Sequence, residues 1–416
     1  MGQNADETRV AVTGLGILSC IGNSQKEVID SLQKGHSGIV HDETRVERGF
    51  RSPLTGKIRN FSPGELGLKK KQMRTMCQPA LYAYSAAIDA ISDAGLKAGD
   101  LESSRCGIIF GNDSTVKAGV ECLDTARQYN GTYNIGTGAI FRLMNSTITM
   151  NLAQIFKIRG ANWTVSSACS SGSNALGQAY MLIKSGLQDI VISGGAQETN
   201  WMSVAGFDSL GAFSTNPDPA TSCRPFDAQR DGLVPSGGGA SLVIENLEHA
   251  IKRGARVYAI IQGYGFSSQI GANLSESNTE GVQLAIKNAL DSARLDPGQI
   301  DYINAHATST PSGDRIEALA IHNIFGSKVP VSSTKSMTGH ECWMSGASEA
   351  IYTILMAHNG FLAPNVNFHG FEPNFPEINI IKQARPHTMN YAISNSFGFG
   401  GTNAAVVFNF TDWESR

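Results

Sequence analysis

The hydrophobic pattern near the middle of the chain predicts a strand, a sharp turn and a helix. Residues Asn162–Val165 have the composition of a short buried strand. Apolar residues then recur at helical spacing as far as Gly186, a residue type that commonly ends a helix. Cys169 lies between the two elements. Free N–H groups at the start of the helix would favour its thiolate over its thiol.

Cys169 could instead be a packed core residue, because free cysteine is among the most buried residue types. The residues around it are small, however, and would leave room for a substrate. They are Ser166, Ser167, Ala168, Ser170, Ser171 and Gly172. The local sequence therefore favours a reactive cysteine. The choice between the two interpretations depends on whether catalytic partners for Cys169 occur elsewhere in the chain.

The order of predicted elements occurs twice. An Arg-Val pair, an apolar run and Gly-x-Gly occur in Thr8–Leu18 and again in Ala255–Phe266. Each segment is interpreted as a buried strand that runs into a glycine turn. A helix and a further apolar strand follow in both halves. This repetition predicts a duplicated α/β fold with units over residues 1–255 and 256–416.

The first half is longer by a segment near residues 113–159, which we expect to cover the active site or to form a dimer contact. The 33 basic and 36 acidic residues give a net charge of −3, which does not favour wholesale binding to nucleic acid or to an anionic membrane. Seven cysteines without a C-x-x-C pair indicate reduced thiols rather than disulfides or a zinc site. No signal peptide or membrane-spanning run is evident, so we expect a cytoplasmic protein.

Two of the nine histidines follow predicted strands. His306 ends an apolar strand and opens HATSTPSGD, and His340 ends VSSTKSMTGH directly before a predicted helix. Each histidine taken singly is more often a structural residue. Because ligands of open α/β sheets gather beyond the carboxyl ends of strands, two such histidines and Cys169 together suggest one site.

Four segments in this order, ACSS, HATSTPSGD, STKSMTGH and SNSFGFGGTN, resemble the β-ketoacyl-[acyl-carrier-protein] synthases of the elongating type, synthases I and II. The resemblance covers nearly the whole chain. It implies a thiolase-like α/β fold, a duplicated five-layered α-β-α-β-α sandwich, and a homodimer. The implied reaction is a decarboxylative Claisen condensation of an acyl-carrier protein with malonyl-carrier protein in fatty acid elongation, which yields 3-oxoacyl-carrier protein and CO2.

The resemblance implies a role for each motif residue. Cys169 would hold the acyl group as a thioester, and the backbone N–H groups of Cys169 and Phe399 would stabilise the oxyanion. His306 and His340 would donate hydrogen bonds to the enolate formed from malonyl. A lysine and a glutamate would orient the histidines, since a buried lysine needs a carboxylate partner. These two are Lys335 and Glu317.

Further positions match the substrate contacts of the family. Thr308 and Thr310 match the hydroxyls that contact the phosphopantetheine arm, and Phe399 matches the gate to the acyl pocket. The other residues assigned to substrate binding in the C-terminal glycine loop are Phe397, Gly400 and Gly401. The resemblance implies neither a metal nor a resident cofactor, because phosphopantetheine enters on the carrier protein.

Several residues depart from the family pattern. Trp343 and Met344 replace small residues after His340, and Ala307 stands where glycine is usual. Phe110 falls where elongating enzymes have a smaller residue in the acyl tunnel. Its ring would shorten the cavity and restrict the enzyme to short acyl chains. Alternatively, neighbouring residues recede and the pocket is of normal size.

A basic run at residues 69–74 could simply be a solvated helix start. Acyl carrier proteins are acidic, however, and Lys71 and Arg74 align with carrier-docking positions of the family. Two alternatives to fatty acid elongation stay open: a ketosynthase of a specialised polyketide or polyene pathway, and a non-catalytic partner subunit of a ketosynthase heterodimer. The second would lack the nucleophile, which is present here as Cys169.

Overall fold

The computed structural model describes residues 8–271 and 273–411, in which strands and helices alternate along most of the chain. The strands are β1 (Val10–Leu18), β2 (Ile39–His41), β3 (Leu54–Gly56), β4 (Cys106–Gly111), β5 (Asn162–Val165), β6 (Ile190–Gln197), β7 (Gly238–Asn246), β8 (Ala259–Ser268), β9 (Tyr302–Asn304), β10 (Pro330–Ser332), β11 (Phe361–Leu362), β12 (Asn379–Ile380), β13 (Arg385–Pro386), β14 (Tyr391–Gly398) and β15 (Thr402–Asn409). The α-helices are α1 (Gln25–Lys34), α2 (Glu43–Glu47), α3 (Lys70–Met73), α4 (Gln78–Asp93), α5 (Ala98–Leu101), α6 (Val116–Gln128), α7 (Ala139–Leu143), α8 (Thr147–Phe156), α9 (Ser171–Lys184), α10 (Trp201–Ser209), α11 (Leu247–Lys252), α12 (Thr279–Ala293), α13 (Pro311–Phe325), α14 (Lys335–Thr338) and α15 (Ser345–His358). Within the described ranges, none of the helices has the length and apolar character needed to cross a bilayer.

Two sheets of equivalent topology confirm the predicted duplication. The first has the order β5-β4-β6-β7-β1, and the second has the order β10-β9-β14-β15-β8 with β12 added beyond β10. In both, the first three strands are parallel and the last two alternate in direction. The sheets join where β1 pairs with β8 over two positions, Ala11 opposite Ile260 and Val12 opposite Ala259. The connection from the first sheet to the second runs between α11 and β8, and the proposed domain division at residue 255 stays a prediction.

The helices form three layers around these sheets. α9 and α15 pack against each other between the two sheets, in an apolar cluster that includes Leu176 from the first half and Ile351 from the second. α4 and α8 cover the outer face of the first sheet, and α12 and α13 cover that of the second. This is the predicted five-layered α-β-α-β-α sandwich.

The predicted glycine turns after the first strand of each half are wrong, because β1 and β8 continue through them. A Cβ atom at Gly16 would lie 1.9 Å from the carbonyl oxygen of Ala86 in α4, and one at Gly265 would lie 2.1 Å from the backbone nitrogen of Ala289 in α12. In both halves, the missing side chain allows a helix to pack directly on the strand. Glycine within a strand pattern can mark such a close approach as well as a turn.

β5 has the predicted bounds but is not a buried strand. It lies at the end of the first sheet and pairs only with β4 among the described strands. Asn162 is exposed, and the Trp163 side chain is 48% exposed. The aromatic and β-branched residues that suggested burial therefore lie at an open sheet edge.

Candidate active site

Cys169 lies on a tight turn between β5 and α9. The turn is a single 3₁₀ segment, Ala168–Ser170, in which Ala168 has a φ of +48°, in the left-handed region that is unfavourable for a residue with a Cβ. Hydrogen bonds hold this backbone: the Ser167 N–H donates to Ser171 Oγ (2.9 Å), and Thr402 Oγ1 donates to the Ser167 carbonyl (2.8 Å). The nucleophile is thus fixed by contacts from both halves of the fold.

The structure brings the three residues Cys169, His306 and His340 together. His340 Nε2 lies 3.1 Å from Cys169 Sγ, and the two imidazole ring centroids are 5.3 Å apart. His306 follows β9, whereas His340 lies between α14 and α15. The side-chain donor atoms of all three residues lie within 4.8 Å of one another. Sulfur and imidazole nitrogen are also ligands that zinc accepts, so the absence of a resident metal stays a prediction.

The surroundings of Cys169 favour its thiol, contrary to the thiolate expected from the helix terminus. Burial raises its pKa to about 12, and the side chain is 3% exposed. The Lys335 ammonium and the backbone N–H groups of Phe399 and Cys169 oppose this shift without reversing it. The cost of removing a thiolate from water outweighs the helix N-terminus here.

The surroundings of both histidines favour the neutral imidazole. Burial is the main cause that lowers the pKa of His306 and of His340 well below the usual value of an imidazole. The positive charge of Lys335 lowers both further. His340 Nδ1 lies 3.2 Å from Ser345 Oγ. Since a hydroxyl can donate or accept, this contact allows either tautomer of His340, and Nε2 can face Cys169 with or without a proton.

The carboxylate partner of Lys335 is Glu349 and not Glu317. Lys335 Nζ donates to Glu349 Oε1, and both side chains are 1% exposed. The sequence analysis missed Glu349, although a single carboxylate among the small and apolar residues of α15 was a visible signal. A buried carboxylate of this kind needs a charged or hydrogen-bonding partner.

Glu317 instead holds the backbone beside His306. It accepts hydrogen bonds from the N–H groups of His306 (2.9 Å) and Ala307 (2.6 Å), and from Asn395 Nδ2 (3.1 Å). Its contact with the histidine is therefore through the main chain, so Glu317 fixes the position of the loop from which the imidazole projects.

A cavity of about 320 Å³ leads to Cys169. Both histidines line it. The two threonines line it as well, with Thr308 Oγ1 3.1 Å from Thr310 Oγ1. Phe397 and Phe399 also line the cavity, and the Phe397 ring packs edge-on against His306 at 5.9 Å. The cavity thus offers hydroxyl groups along its length and a sulfur at its end.

The C-terminal glycine loop contributes Phe397 and Phe399 to the cavity, whereas Gly400 and Gly401, the predicted substrate contacts in this loop, do not line it. Gly400 and Gly401 have φ of +75° and +77°, which glycine adopts without strain. The Gly400 N–H donates to the Leu274 carbonyl (2.7 Å), and the Gln269 N–H donates to the Gly401 carbonyl (3.2 Å). The loop that carries Phe399 is therefore tied to the segment that follows β8.

Seven of the predicted site residues do not line this cavity: Lys335, Glu317, Gly400, Gly401, Phe110, Lys71 and Arg74. Phe110 is fully buried on β4, in an apolar cluster with Tyr84 and Ile192, and it does not line the cavity at Cys169. Its effect on acyl length stays a prediction. Lys71 and Arg74 are exposed, on α3 and at its end, and Arg74 donates to Thr137 Oγ1 (2.8 Å).

Comparison with known proteins agrees with this geometry. Residues 7–250 match the model of the β-ketoacyl synthase N-terminal domain, and residues 258–369 match that of the C-terminal domain. The chain is 43% identical to 3-oxoacyl-[acyl-carrier-protein] synthase 1 of Haemophilus influenzae, over 96% of this chain and 98% of the relative. The chain belongs to the β-ketoacyl synthase family.

Solved structures of ketosynthases share the whole fold. A β-ketoacyl synthase from Burkholderia phymatum superposes with a TM-score of 0.93 at 33% identity, covering 97% of this chain and all of that one. A type II polyketide ketosynthase solved with its acyl-carrier protein superposes with a TM-score of 0.88 at 27% identity, covering 98% of this chain and all of that one.

Proposed function

We propose that this chain condenses an acyl group held on Cys169 with malonyl-carrier protein, with loss of CO2, to give 3-oxoacyl-carrier protein in fatty acid elongation. The observation that carries the proposal is the 3.1 Å contact between Cys169 Sγ and His340 Nε2, with His306 beside it in the same cavity. The similarity to synthase 1 of H. influenzae supports the assignment to fatty acid elongation.

The first step transfers the acyl group to the enzyme. Cys169 Sγ attacks the thioester carbonyl, and its proton passes to His340 Nε2 and then to the departing pantetheine sulfur. One C–S bond forms as the other breaks. The backbone N–H groups of Cys169 and Phe399 stabilise the negative oxygen of the tetrahedral intermediate. Because the pKa of the thiol is high, a base has to accept its proton as the sulfur attacks. The neutral imidazole of His340 can do so.

The second step forms the carbon–carbon bond. The malonyl carboxylate leaves as CO2, and its electron pair stays on the substrate as an enolate whose oxygen accepts hydrogen bonds from His306 and His340. The enolate carbon attacks the acyl carbonyl on Cys169, and collapse of the intermediate expels the Cys169 thiolate, which takes up one proton from the solvent. Neutral imidazoles suit this role, because each has one N–H to donate.

The carrier protein would dock on the basic segment at residues 69–74. Lys69, Lys70 and Lys71 are exposed and form no ion pair with another described residue, which leaves their charge for an acidic partner. No resident cofactor is proposed, since phosphopantetheine comes with the carrier. The seven free thiols support a reducing, cytoplasmic location.

A second copy of the chain would pair with the open edge of β5. Exposed apolar side chains occur in the neighbouring segment, the longer part of the first half. They include Leu123, Tyr129, Ile140, Phe141 and Met144. An exposed sheet edge next to apolar side chains is typical of a surface that is covered in an assembly. We therefore propose a homodimer through this face.

The function is tested with acyl-carrier and malonyl-carrier proteins as substrates. We expect 3-oxoacyl-carrier protein by mass spectrometry and an acyl group on Cys169 of the intact enzyme. Cys169→Ala abolishes both, whereas Cys122→Ala at a half-buried site leaves both unchanged. Absence of label on Cys169 would indicate a non-catalytic partner subunit. Repeated condensation without reduction would indicate a polyketide or polyene ketosynthase.

A further inference from the structure

A cluster of aromatic side chains packs beside the nucleophile Cys169. Cys169, Cys342 and Trp343 form one buried apolar cluster, against which Phe207 packs. The Phe207 ring lies 6.2 Å from that of Trp343 and 5.8 Å from that of Phe399. Three rings in contact therefore extend from the backbone donor at Phe399 to the indole, and Trp343 is 7% exposed.

Trp343 is held in this position by its backbone. A Cβ atom at Gly195 of β6 would lie 2.7 Å from the Trp343 carbonyl oxygen, and one at Gly172 of α9 would lie 3.1 Å from the same atom. The preceding residue, Cys342, has a φ of +47°. Both glycines already lack the side chain that would block the Trp343 carbonyl. The main chain of Trp343 therefore has no room to move further away from the site.

The indole therefore occupies space that an acyl chain would need. The lining of the cavity at Cys169 includes Thr308, Thr310 and residues 311–313, and a carrier arm that contacts the two threonines would occupy this part of it. Trp343 does not line that cavity; it packs in the cluster of Cys169 itself. A long acyl group on Cys169 Sγ would have to displace the ring, at a cost in packing.

The indole also brings an unsatisfied donor to this cluster. Trp343 Nε1 is buried and has no hydrogen-bond partner among the described residues. A buried N–H without an acceptor is unfavourable, and the indole nitrogen can only donate. An oxygen atom on the bound acyl group would satisfy it, whereas a saturated alkyl chain would not.

We propose that Trp343 selects the acyl group carried by Cys169: the ring limits its length, and the N–H favours a short chain that bears a hydroxyl or oxo oxygen. The inference rests on the proposed function, because it concerns which acyl group the enzyme accepts. It differs from the sequence-based hypothesis, in which Phe110 limits the chain.

The test measures the rate at which Cys169 is acylated by butyryl-, 3-hydroxybutyryl- and dodecanoyl-carrier protein, using intact-protein mass spectrometry. In the unmodified enzyme we expect dodecanoyl to react at least about tenfold more slowly than butyryl, and 3-hydroxybutyryl to react faster than butyryl. Trp343→Ala should remove most of the length limit. Trp343→Phe should keep that limit but lose the preference for the hydroxylated group.

Phe110→Ala separates this proposal from the sequence-based hypothesis: it should retain the length profile of the unmodified enzyme, and a relaxed length limit in this variant would assign the selection to Phe110 and overturn the proposal. Trp343→Leu replaces Trp343→Ala if the alanine variant melts at a clearly lower temperature. A length profile that Trp343→Ala or Trp343→Leu leaves unchanged would overturn the proposal, as would a hydroxyl preference that survives in Trp343→Phe. If none of the three donors labels Cys169 in the unmodified enzyme, the proposed function itself fails.

Discussion

The Lys335 ammonium and the Glu349 carboxylate form an ion pair that is almost completely removed from water. It links α14 to α15 directly behind the two histidines, and Lys335 contributes to the low pKa of both imidazoles. Burial raises the pKa of Glu349 above its usual value, and the adjacent Lys335 ammonium opposes this rise without cancelling it. Because the carboxylate compensates the charge of the ammonium, the Lys335 cation can be buried beside the site.

We predict that Glu349→Gln lowers the free energy of unfolding by about 3–5 kcal/mol, because it leaves the buried ammonium of Lys335 without its counter-charge. Urea unfolding followed by circular dichroism measures the change. The control is Glu102→Gln, which removes one side of the exposed pair with Lys157 and should have little effect. Equal midpoints for the two variants would contradict the prediction.

The high pKa of Cys169 predicts a steep pH dependence of alkylation. The reactive thiolate is the deprotonated form, so its fraction rises about tenfold per pH unit at every pH below the pKa. With a pKa of about 12, reaction with iodoacetamide should still accelerate between about pH 6 and pH 9.

Peptide mass spectrometry measures the alkylation of Cys169, and the half-buried Cys122 serves as an internal check that the reagent is active. A rate that levels off near neutral pH would show that the thiolate already predominates there, as the helix terminus alone would suggest.

Gly400 and Gly401 provide a matched pair of variants. Both have positive φ, so alanine strains the backbone similarly at either position. A Cβ at Gly401 would also lie 2.1 Å from Gln269 Cγ, whereas among the described residues no surrounding atom lies within 4 Å of a Cβ at Gly400. Gln269 cannot easily move, because its amide donates to the Glu276 carbonyl (2.5 Å) and accepts from the Asn278 N–H (3.0 Å).

We therefore predict that Gly401→Ala lowers the rate of Cys169 acylation more than Gly400→Ala does, since displacing Gln269 disturbs the segment that borders the cavity. Acyl-enzyme formation with a short carrier-bound donor measures this, together with the melting temperature. Similar losses in the two variants would mean that backbone strain alone matters at this loop.

Charge reversal should separate carrier docking from chemistry. Lys71→Glu with Arg74→Glu should raise KM for acyl-carrier protein in a salt-dependent manner, because the docking attraction becomes a repulsion. Acylation by a small N-acetylcysteamine thioester should be unchanged. Lys252→Glu with Lys287→Glu gives the same change in net charge elsewhere, and a matching rise in KM there would exclude a specific docking surface.

Trp163→Asp should convert a dimer into monomers, because a carboxylate at the open edge of β5 would be buried against a second copy. Size-exclusion chromatography with light scattering measures the mass. Leu284→Asp on α12 is the control, since Leu284 is 46% exposed and lies on the outer layer of the other half. A monomeric unmodified protein would remove the basis of the prediction.

The position of the site could be predicted from the sequence, because strand ends are visible in local patterns. His306 and His340 both follow short apolar strands, and such strand ends meet at one edge of a sheet. The duplicated order of elements was visible for the same reason. Both features depend on residues that are close together in the chain.

The electrostatics of the site could not be predicted in this way. Cys169 is buried against Cys342 and Trp343, which lie more than a hundred residues away in the chain, just before α15, and burial sets the thiol pKa. The choice of Glu349 over Glu317 as partner of Lys335 likewise depends on how α15 packs. The Gly-x-Gly segments were misinterpreted because the helix that packs on them does not appear in the local pattern.

Two features join the halves of the fold: the short pairing of β1 with β8, and the α9–α15 layer between the sheets. Both features make each half depend on the other. α9 packs mainly on β4 and β6 of its own sheet, and α15 packs on β14 of its own sheet and also on β6 and β7 of the other. A gene fragment that encodes only one unit would therefore leave the apolar face of its inner helix uncovered where the other unit packs, and the fragment would be prone to aggregate. Evolution can therefore alter the two copies independently, but it cannot separate them.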